Sequence, residues 1–232
     1  MDIRGKVVVV TGANRGLGKA FVNALLEGGA AKVYAGARDP SSVNIPGSTP
    51  IALDITDQAS VQRAAEQCTD VDIVINNAGF LKYGSLLAED SVENLQQHFD
   101  VNTFGTLRVS RAFAPILAKQ GGGALINVLS VLSWLSPPGA GGYSASKSAQ
   151  WGLTNGLRGE LREQNTRVIG VHPAYIDTDM VADVQAPKST PQEVVALTLQ
   201  ALSDEREEVL ITDMTHGVKA SLSTDSPVYL NR

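Results

Sequence analysis

Residues 7–18 read VVVVTGANRGLG, so that four valines run directly into a turn that contains three glycines. A short run made only of β-branched apolar residues is typical of a strand that is buried on both faces. After the turn, Leu17, Phe21 and Leu25 recur at helical spacing until Gly28 and Gly29 end the pattern. The stretch therefore predicts a buried strand, a tight turn and a helix in immediate succession.

The same alternation continues along the chain. Further short apolar runs predict strands at 32–37, 51–54, 72–76, 124–129, 167–172 and 209–211. Helical periodicity predicts helices at 57–68, 91–118, 142–162 and 191–202. Strands buried on both faces need helices on either side. We therefore predict a single α/β domain over residues 1–232, a Rossmann-type doubly wound parallel β-sheet of about seven strands flanked by helices on both faces.

Charge and composition exclude several classes of protein. The net charge of −5 argues against a nucleic-acid or anionic-membrane partner. Cys68 is the only cysteine, which rules out a disulfide within the chain and fits a reducing, cytoplasmic location. The first six residues are partly charged and no apolar run approaches ~20 residues, so we expect neither a signal peptide nor a membrane span. The three histidines, His98, His172 and His216, are too scattered to predict a metal site. The charged run DEREE at 204–208 predicts a solvated helix end.

The glycine turn lies where a doubly wound sheet binds its ligand, at the carboxyl end of a strand. Gly12 permits the tight turn, Gly16 lets the backbone approach a pyrophosphate, and Gly18 lets the helix pack closely on the sheet. The free N–H groups of the helix start favour an anion there. An ordinary strand–helix turn is the alternative, because the spacing Gly-x-x-x-Gly-x-Gly differs from the commoner Gly-x-Gly-x-x-Gly.

Downstream motifs give the turn a context. The chain carries TGANRGLG at 11–18, NNAG at 76–79, Asn102 in the following helix, Ser130 at a strand end and YSASK at 143–147. In this order they resemble the short-chain dehydrogenase/reductase family, whose motifs are TGxxxGxG, NNAG and YxxxK. The resemblance covers residues from 11 to about 180. It implies a nucleotide-binding half at about 1–120 and a catalytic and substrate half at about 121–232.

Four residues carry the expected catalysis. Tyr143 and Lys147 lie four apart, so a helix places them on one face, where the ammonium is expected to lower the pKa of the phenol. Tyr143 is then the general acid or base. The resemblance implies that Lys147 also holds the nicotinamide ribose, that Ser130 orients the substrate oxygen, and that Asn102 kinks its helix. Ser133 is a nearby alternative to Ser130, which the strand-end position favours.

The resemblance also implies a set of cofactor-binding residues. They are Gly12, Asn14, Arg15, Gly16, Leu17, Gly18, Arg38, Asp54, Ile55, Asn77, Ala78, Gly79, Tyr143, Lys147, Pro173, Ile176 and Thr178.

The end of the second strand bears on the choice of cofactor. An NAD site needs an acid there for the ribose 2′-OH, but the chain has Ala37 followed by Arg38. Arg15 is a second cation on the same side, and guanidinium groups suit a 2′-phosphate. We therefore expect NADP(H) to be preferred. NAD(H) stays possible, because a one-residue shift would bring Asp39 into the acidic position, and both arginines are also compatible with plain surface positions.

The substrate side is less defined by the sequence. Ser130 and Tyr143 are expected to touch the substrate, with Trp134 and Tyr175 as pocket walls or as ordinary packing. Only twelve residues separate positions 178 and 191, which indicates a short lid and a permissive pocket.

These features predict an NADPH-dependent oxidoreductase that reduces aldehydes or ketones. The alternatives are an NAD(P)-dependent alcohol dehydrogenase working oxidatively and a non-catalytic NADP-sensing regulator. The partner is then a small carbonyl or alcohol, and the resemblance implies a homodimer or homotetramer.

Overall fold

Seven parallel strands form one sheet in the computed structural model, which describes residues 1–230. The strands are β1 (Val7–Thr11), β2 (Lys32–Ala37), β3 (Thr49–Ala52), β4 (Ile73–Asn76), β5 (Gly123–Val128), β6 (Thr166–His172) and β7 (Glu208–Leu210), in the order β3-β2-β1-β4-β5-β6-β7. The chain crosses from one side of β1 to the other between β3 and β4, which opens a crevice at the carboxyl ends of β1 and β4. The predicted Rossmann-type fold is confirmed.

Helices cover both faces of the sheet. They are α1 (Gly16–Glu27), α2 (Gln58–Gln67), α3 (Ser91–His98), α4 (Thr106–Lys119), α5 (Gly141–Glu160), α6 (Pro191–Ser203) and α7 (Asp213–Ser221). Val8 and Val10 pack with α1 and α6 in one apolar cluster, whereas Val9 packs with α2, α4 and α5 in the other. The two clusters explain why the run of valines does not alternate with polar residues: each face of β1 meets a helical layer.

The predicted long helix at 91–118 is interrupted. Between α3 and α4 the backbone forms a π-helical stretch, Phe99–Gly105, with the buried Asn102 at its centre. A π-helical turn widens the helix locally and is frequent at functional sites.

The carboxyl-terminal part departs further from the sequence prediction. Helix α7 has no predicted counterpart, and its first turn is capped by the Thr212 hydroxyl, which accepts the Thr215 N–H at 3.2 Å. The run 204–208 is not wholly a solvated helix end: α6 ends at Ser203, and Glu208 begins β7 with its side chain only 24% exposed. Within residues 1–230, none of the helices has the length and apolar character needed to cross a membrane.

Candidate active site

A cavity of about 770 Å³ lies in the crevice at the carboxyl ends of the strands. It runs from the glycine turn after β1 to the start of α5, so that residues far apart in sequence share one wall. Its volume falls in the upper part of the ~300–1,000 Å³ range of ligand sites.

At its three glycine positions the turn has no room for a side chain. Gly12 and Gly16 adopt positive φ angles of 64° and 52°. A Cβ on Gly12 would lie 3.0 Å from the Ala78 Cα, one on Gly16 would lie 3.2 Å from the Thr178 side chain, and one on Gly18 would overlap the Gly12 carbonyl oxygen. The turn thus brings bare backbone and the first amides of α1 to the cavity, which fits the pyrophosphate of a dinucleotide.

Polar contacts fix the turn against β4. The Thr11 hydroxyl accepts the N–H groups of Asn77 and Ala78, both at 3.0 Å. In return the Asn77 amide donates to the carbonyl oxygens of Thr11 and Gly12, at 2.9 and 3.2 Å. Asn77 therefore shapes the cradle through the backbone of the turn.

The end of β2 presents a cation to the cavity. Ala37 is the last residue of the strand, and the exposed Arg38 after it makes no side-chain hydrogen bond or ion pair with any described residue. Asp39 caps the 3-10 turn at 40–42, where one carboxylate oxygen accepts the Ser41 N–H at 2.9 Å and its hydroxyl at 2.7 Å. Hydrogen bonds from Ser41 lower the pKa of Asp39. Arg15, also at the cavity, lies 3.8 Å from Asp179 in an exposed ion pair.

Every residue predicted to bind the cofactor lines this cavity. The set is Gly12, Asn14, Arg15, Gly16, Leu17, Gly18, Arg38, Asp54, Ile55, Asn77, Ala78, Gly79, Tyr143, Lys147, Pro173, Ile176 and Thr178. The Asp54 carboxylate accepts the Thr56 N–H and hydroxyl at 2.9 and 2.7 Å, which holds it at the end of β3.

Three candidate catalytic side chains meet at the other end of the cavity. Ser130 lies two residues after the end of β5, while Tyr143 and Lys147 lie on the first two turns of α5, and all three line the cavity wall. The Ser130 hydroxyl accepts the Leu132 N–H at 3.1 Å, which fixes the side chain at the head of a 3-10 turn. Ser133 does not line the cavity, so the structure favours Ser130.

Burial governs the protonation of Tyr143 and Lys147. It raises the pKa of Tyr143 to about 12, although the Ser130 hydroxyl beside it acts in the opposite direction. It also lowers the pKa of Lys147 to about 7. The expected lowering of the Tyr143 pKa by the ammonium is not found, because the Lys147 Nζ lies 5.7 Å from the phenol ring centroid and desolvation dominates both groups. The protein alone therefore holds Tyr143 protonated.

Asn102 does not line the cavity but ties its walls together. Its amide nitrogen donates to the Phe80 carbonyl oxygen and to the Ser146 hydroxyl, both at 2.9 Å. Its amide oxygen accepts the Phe80 N–H at 2.8 Å. The residue thus joins the π-helical stretch to α5 and to the loop after β4.

Of the two alternatives kept for Trp134, the structure favours ordinary packing. Trp134 is buried and absent from the cavity lining, with its ring stacked on His172 at 4.1 Å between centroids and edge-on to Trp151. Its role as a pocket wall is wrong, because an aromatic stack behind the strand ends has taken it out of reach.

The substrate end has apolar walls that the sequence left unassigned. Tyr175 does line it, together with Phe80, Leu81, Tyr83, Val131, Leu132, Leu135, Pro137, Ala174, Met180, Val181 and Met214. Met214 comes from α7, so only a prediction of that helix could have found it. No cluster of three or more His, Cys, Asp or Glu side chains suited to a metal ion occurs within residues 1–230.

An ion-pair cluster lies behind the cavity, at the end of β6. The Nε2 atom of His172 is 3.1 Å from a Glu208 carboxylate oxygen, and the same oxygen accepts the Lys219 ammonium at 2.8 Å. Arg158 donates to the other oxygen at 3.0 Å. Burial raises the pKa of Glu208, but the neighbouring His172 imidazole and the hydrogen bond from the Lys219 ammonium outweigh it and lower the pKa to about 2.

Comparison with known proteins agrees with this geometry. The chain is 33% identical over 227 residues to a 1-deoxy-11-beta-hydroxypentalenate dehydrogenase from Streptomyces exfoliatus, covering 89% of this chain and 82% of that protein. A crystal structure of a short chain dehydrogenase from Burkholderia cenocepacia in complex with NADP matches with a TM-score of 0.93 at 41% identity, covering 97% of this chain and 95% of the other. A short chain dehydrogenase/reductase from Burkholderia phymatum in complex with NAD matches with a TM-score of 0.85 at 25% identity, covering 95% of each chain.

The family model described as short chain dehydrogenase matches residues 6–189. That span contains β1 to β6, the glycine turn and the end of the cavity formed by Ser130, Tyr143 and Lys147. The protein therefore has the fold of an oxidoreductase that binds a nicotinamide dinucleotide, and the chain belongs to the short chain dehydrogenase family.

Proposed function

We propose that the protein is an NADPH-dependent reductase of apolar aldehydes and ketones. The observation that carries the proposal is that Ser130, Tyr143 and Lys147 line the same cavity as the glycine turn. A non-catalytic sensor of the dinucleotide has no use for an acid, an orienting hydroxyl and an ammonium together at the far end of that cavity.

The side chains have defined tasks in carbonyl reduction. When bound, the nicotinamide supplies the hydride. Ser130 donates a hydrogen bond to the carbonyl oxygen and orients it, and Tyr143 gives its proton to that oxygen as charge develops. Because burial raises the pKa of Tyr143 to about 12, the phenol carries the required proton throughout the neutral range. This protonation state supports reduction over oxidation.

The preference for NADPH rests on the residues after β2. Ala37 offers no hydrogen-bond acceptor to a ribose hydroxyl, and Arg38 has no partner among the described residues. The carboxylate of Asp39 is engaged by Ser41, which weakens the case for an NAD-type acid. With Arg15 at the same cavity, the arrangement suits a 2′-phosphate.

The substrate end supports an uncharged, apolar carbonyl compound. Its walls include Tyr83, Leu132, Leu135, Tyr175 and Met214, and among residues 1–230 Lys147 is the cation in this part of the lining. An anionic substrate would find no counter-charge there beyond that ammonium, which the family resemblance assigns to the nicotinamide ribose.

The test is steady-state turnover of a panel of aliphatic and aromatic carbonyls with NADPH and with NADH. We expect Arg38→Ala to raise the KM for NADPH about tenfold or more while leaving the KM for NADH nearly unchanged, because one charge-assisted contact is lost. Arg63→Ala is the matched control, since that exposed arginine lies on α2 and does not line the cavity. Equal effects on both cofactors would contradict the assignment of Arg38.

Tyr143→Phe separates the enzyme from the two alternatives. We expect it to bind NADPH normally and to lose at least about 100-fold in turnover, the lower end of what a general acid contributes. Binding of NADPH by the parent protein without turnover of any carbonyl would favour the regulator. Faster turnover of alcohols than of carbonyls near neutral pH would favour the oxidative dehydrogenase.

A further inference from the structure

The Lys147 ammonium is held by two neutral oxygens. It is buried, and it donates to the Val128 carbonyl oxygen and to the Gln150 side-chain oxygen, both at 2.8 Å. An ammonium has three N–H donors, so one remains for the cavity that Lys147 lines. Tyr143 is the titratable group that faces it from its own helix, and no carboxylate is among its ion-pair or hydrogen-bond partners in residues 1–230.

The surroundings fix which end of the Gln150 amide faces Lys147. The Thr106 hydroxyl donates its one hydrogen to the Asn102 carbonyl oxygen at 2.9 Å. It can then only accept from Gln150, whose nitrogen lies 2.8 Å away. The amide nitrogen is therefore turned toward Thr106 and the amide oxygen toward Lys147, and a flipped amide would place N–H groups against an ammonium.

Gln150 cannot easily move from this position. It is fully buried, and both ends of its side-chain amide are hydrogen-bonded, the oxygen to Lys147 and the nitrogen to Thr106. The resulting chain of contacts runs from Lys147 through Gln150 and Thr106 to Asn102, at the centre of the π-helical stretch. A buried polar residue with both ends of its amide satisfied specifies one arrangement of its neighbours.

We propose that Gln150 is a positioning residue that holds the Lys147 ammonium, charged and oriented, at the catalytic end of the cavity. Of the two acceptors, the Val128 carbonyl belongs to the sheet, so Gln150 is the one that a substitution can remove. Its oxygen offsets part of the desolvation that lowers the pKa of Lys147 to about 7. The kinetic part of the proposal rests on the proposed function, whereas the effect on Lys147 does not.

The direct test is an NMR titration of the Lys147 Cε signal in ¹³C-lysine-labelled protein, assigned by its loss in Lys147→Arg. We expect Gln150→Leu to lower the pKa of Lys147 by about one unit, because an acceptor for a buried charge is gone. Gln150→Glu should raise it, because a carboxylate then faces the ammonium. Shifts of opposite sign are not expected from a general loss of packing. An unchanged Lys147 titration in both variants would overturn the proposal.

Two threonine variants sharpen the result. Thr106→Val leaves Gln150 in place but removes the hydroxyl that orients its amide, so we expect a smaller shift in the direction of Gln150→Leu. Thr154→Val removes a buried hydroxyl from the same helix without touching Lys147 and should leave its titration unchanged. If Gln150→Leu does not fold, Thr106→Val and Gln150→Glu still test the proposal. A shift of the Lys147 pKa in Thr154→Val as large as in those two variants would contradict the assignment.

Turnover gives a second readout. With carbonyl and NADPH, Gln150→Leu should lower kcat about tenfold with little change in the KM for the carbonyl, and the alkaline loss of activity should move to lower pH. Gln150→Glu should move that loss to higher pH. If the parent protein reduces no carbonyl but the NMR shifts occur, the proposed function fails and the role of Gln150 stands. If the parent protein reduces carbonyls but the Lys147 titration is the same in the Gln150 variants, the proposed function stands and the role of Gln150 fails.

Discussion

Replacement of Glu208 by glutamine tests whether the ion-pair cluster behind the cavity stabilises the fold through its charge. The carboxylate contacts His172, Lys219 and Arg158 within 2.8–3.1 Å, and its side chain is 24% exposed. Glutamine has the same shape but only one acceptor oxygen, so its NH₂ group faces either Arg158 or Lys219, both of which are donors. The substitution therefore removes the negative charge together with one of the two acceptors.

The expected loss of stability follows from the pKa of Glu208. A value of about 2 in the folded protein instead of the ordinary 4.5 corresponds to about 3 kcal/mol of stabilisation at neutral pH. Since the folded-state pKa is lowered, this stabilisation is fully present above pH 4.5 and is lost as the pH falls toward 2. We expect Glu208→Gln to cost about 2–3 kcal/mol at pH 7 and less than about half of that near pH 3.

The assay is urea unfolding at pH 7, 5 and 3, at one fixed protein concentration, because association shifts apparent stability. Glu207→Gln is the matched control, since its side chain is 50% exposed and its nearest Arg158 nitrogen is 3.9 Å away. It should cost less than about 0.5 kcal/mol at every pH. A Glu208→Gln cost that is the same at pH 7 and pH 3, or a cost no larger than that of Glu207→Gln, would refute the reasoning.

Three further predictions concern other parts of the chain. Gly18→Ala should weaken NADPH binding and lower the melting temperature, because its Cβ would overlap the Gly12 carbonyl oxygen. Gly217→Ala is the control, since a Cβ there would have no atom within 4 Å among residues 1–230 outside its own stretch of helix, and equal effects would contradict the role of the glycine turn. Phe104, 49% exposed beside α4, should belong to a subunit interface, so Phe104→Glu should reduce the mass measured by light scattering; a monomeric parent protein would disprove this. Burial raises the pKa of Cys68 to about 12, so the folded protein should resist a thiol reagent at pH 8, whereas rapid labelling without unfolding would show that the thiol is accessible.

The strands and the motif residues could be predicted because their signals are local. The valine run before Gly12 and the spacing from Ser130 to Lys147 are readable in the sequence alone. The sequence could not decide between a pocket wall and ordinary packing for Trp134, because its position depends on a stack with His172, which lies 38 residues further on. Helix α7 carries too few apolar residues for a clear helical pattern, and with it Met214 was missed at the cavity.

Gln150 shows a different limit of sequence reasoning. A glutamine in the middle of an amphipathic helix is normally solvated, and nothing next to it in the sequence indicates burial. Its surroundings arise only when α5 packs on the π-helical stretch, so that Thr106 and Lys147 come within 2.8 Å of the two ends of one amide. The interruption of the helix at 99–105 and the buried chain of polar contacts therefore depend on the same packing of α5.

The protonation of the catalytic pair follows from the same burial. Low local polarity penalises the phenolate of Tyr143 and the ammonium of Lys147 alike, which separates the two pKa values to about 12 and about 7. A protonated phenol is the form that carbonyl reduction requires, whereas alcohol oxidation requires the phenolate that burial disfavours. Of the two groups, Lys147 has the acceptors that favour its charged form, at Val128 and Gln150. If the protein is the proposed reductase, we therefore expect the polar contacts that hold the Lys147 ammonium to set the pH range of turnover.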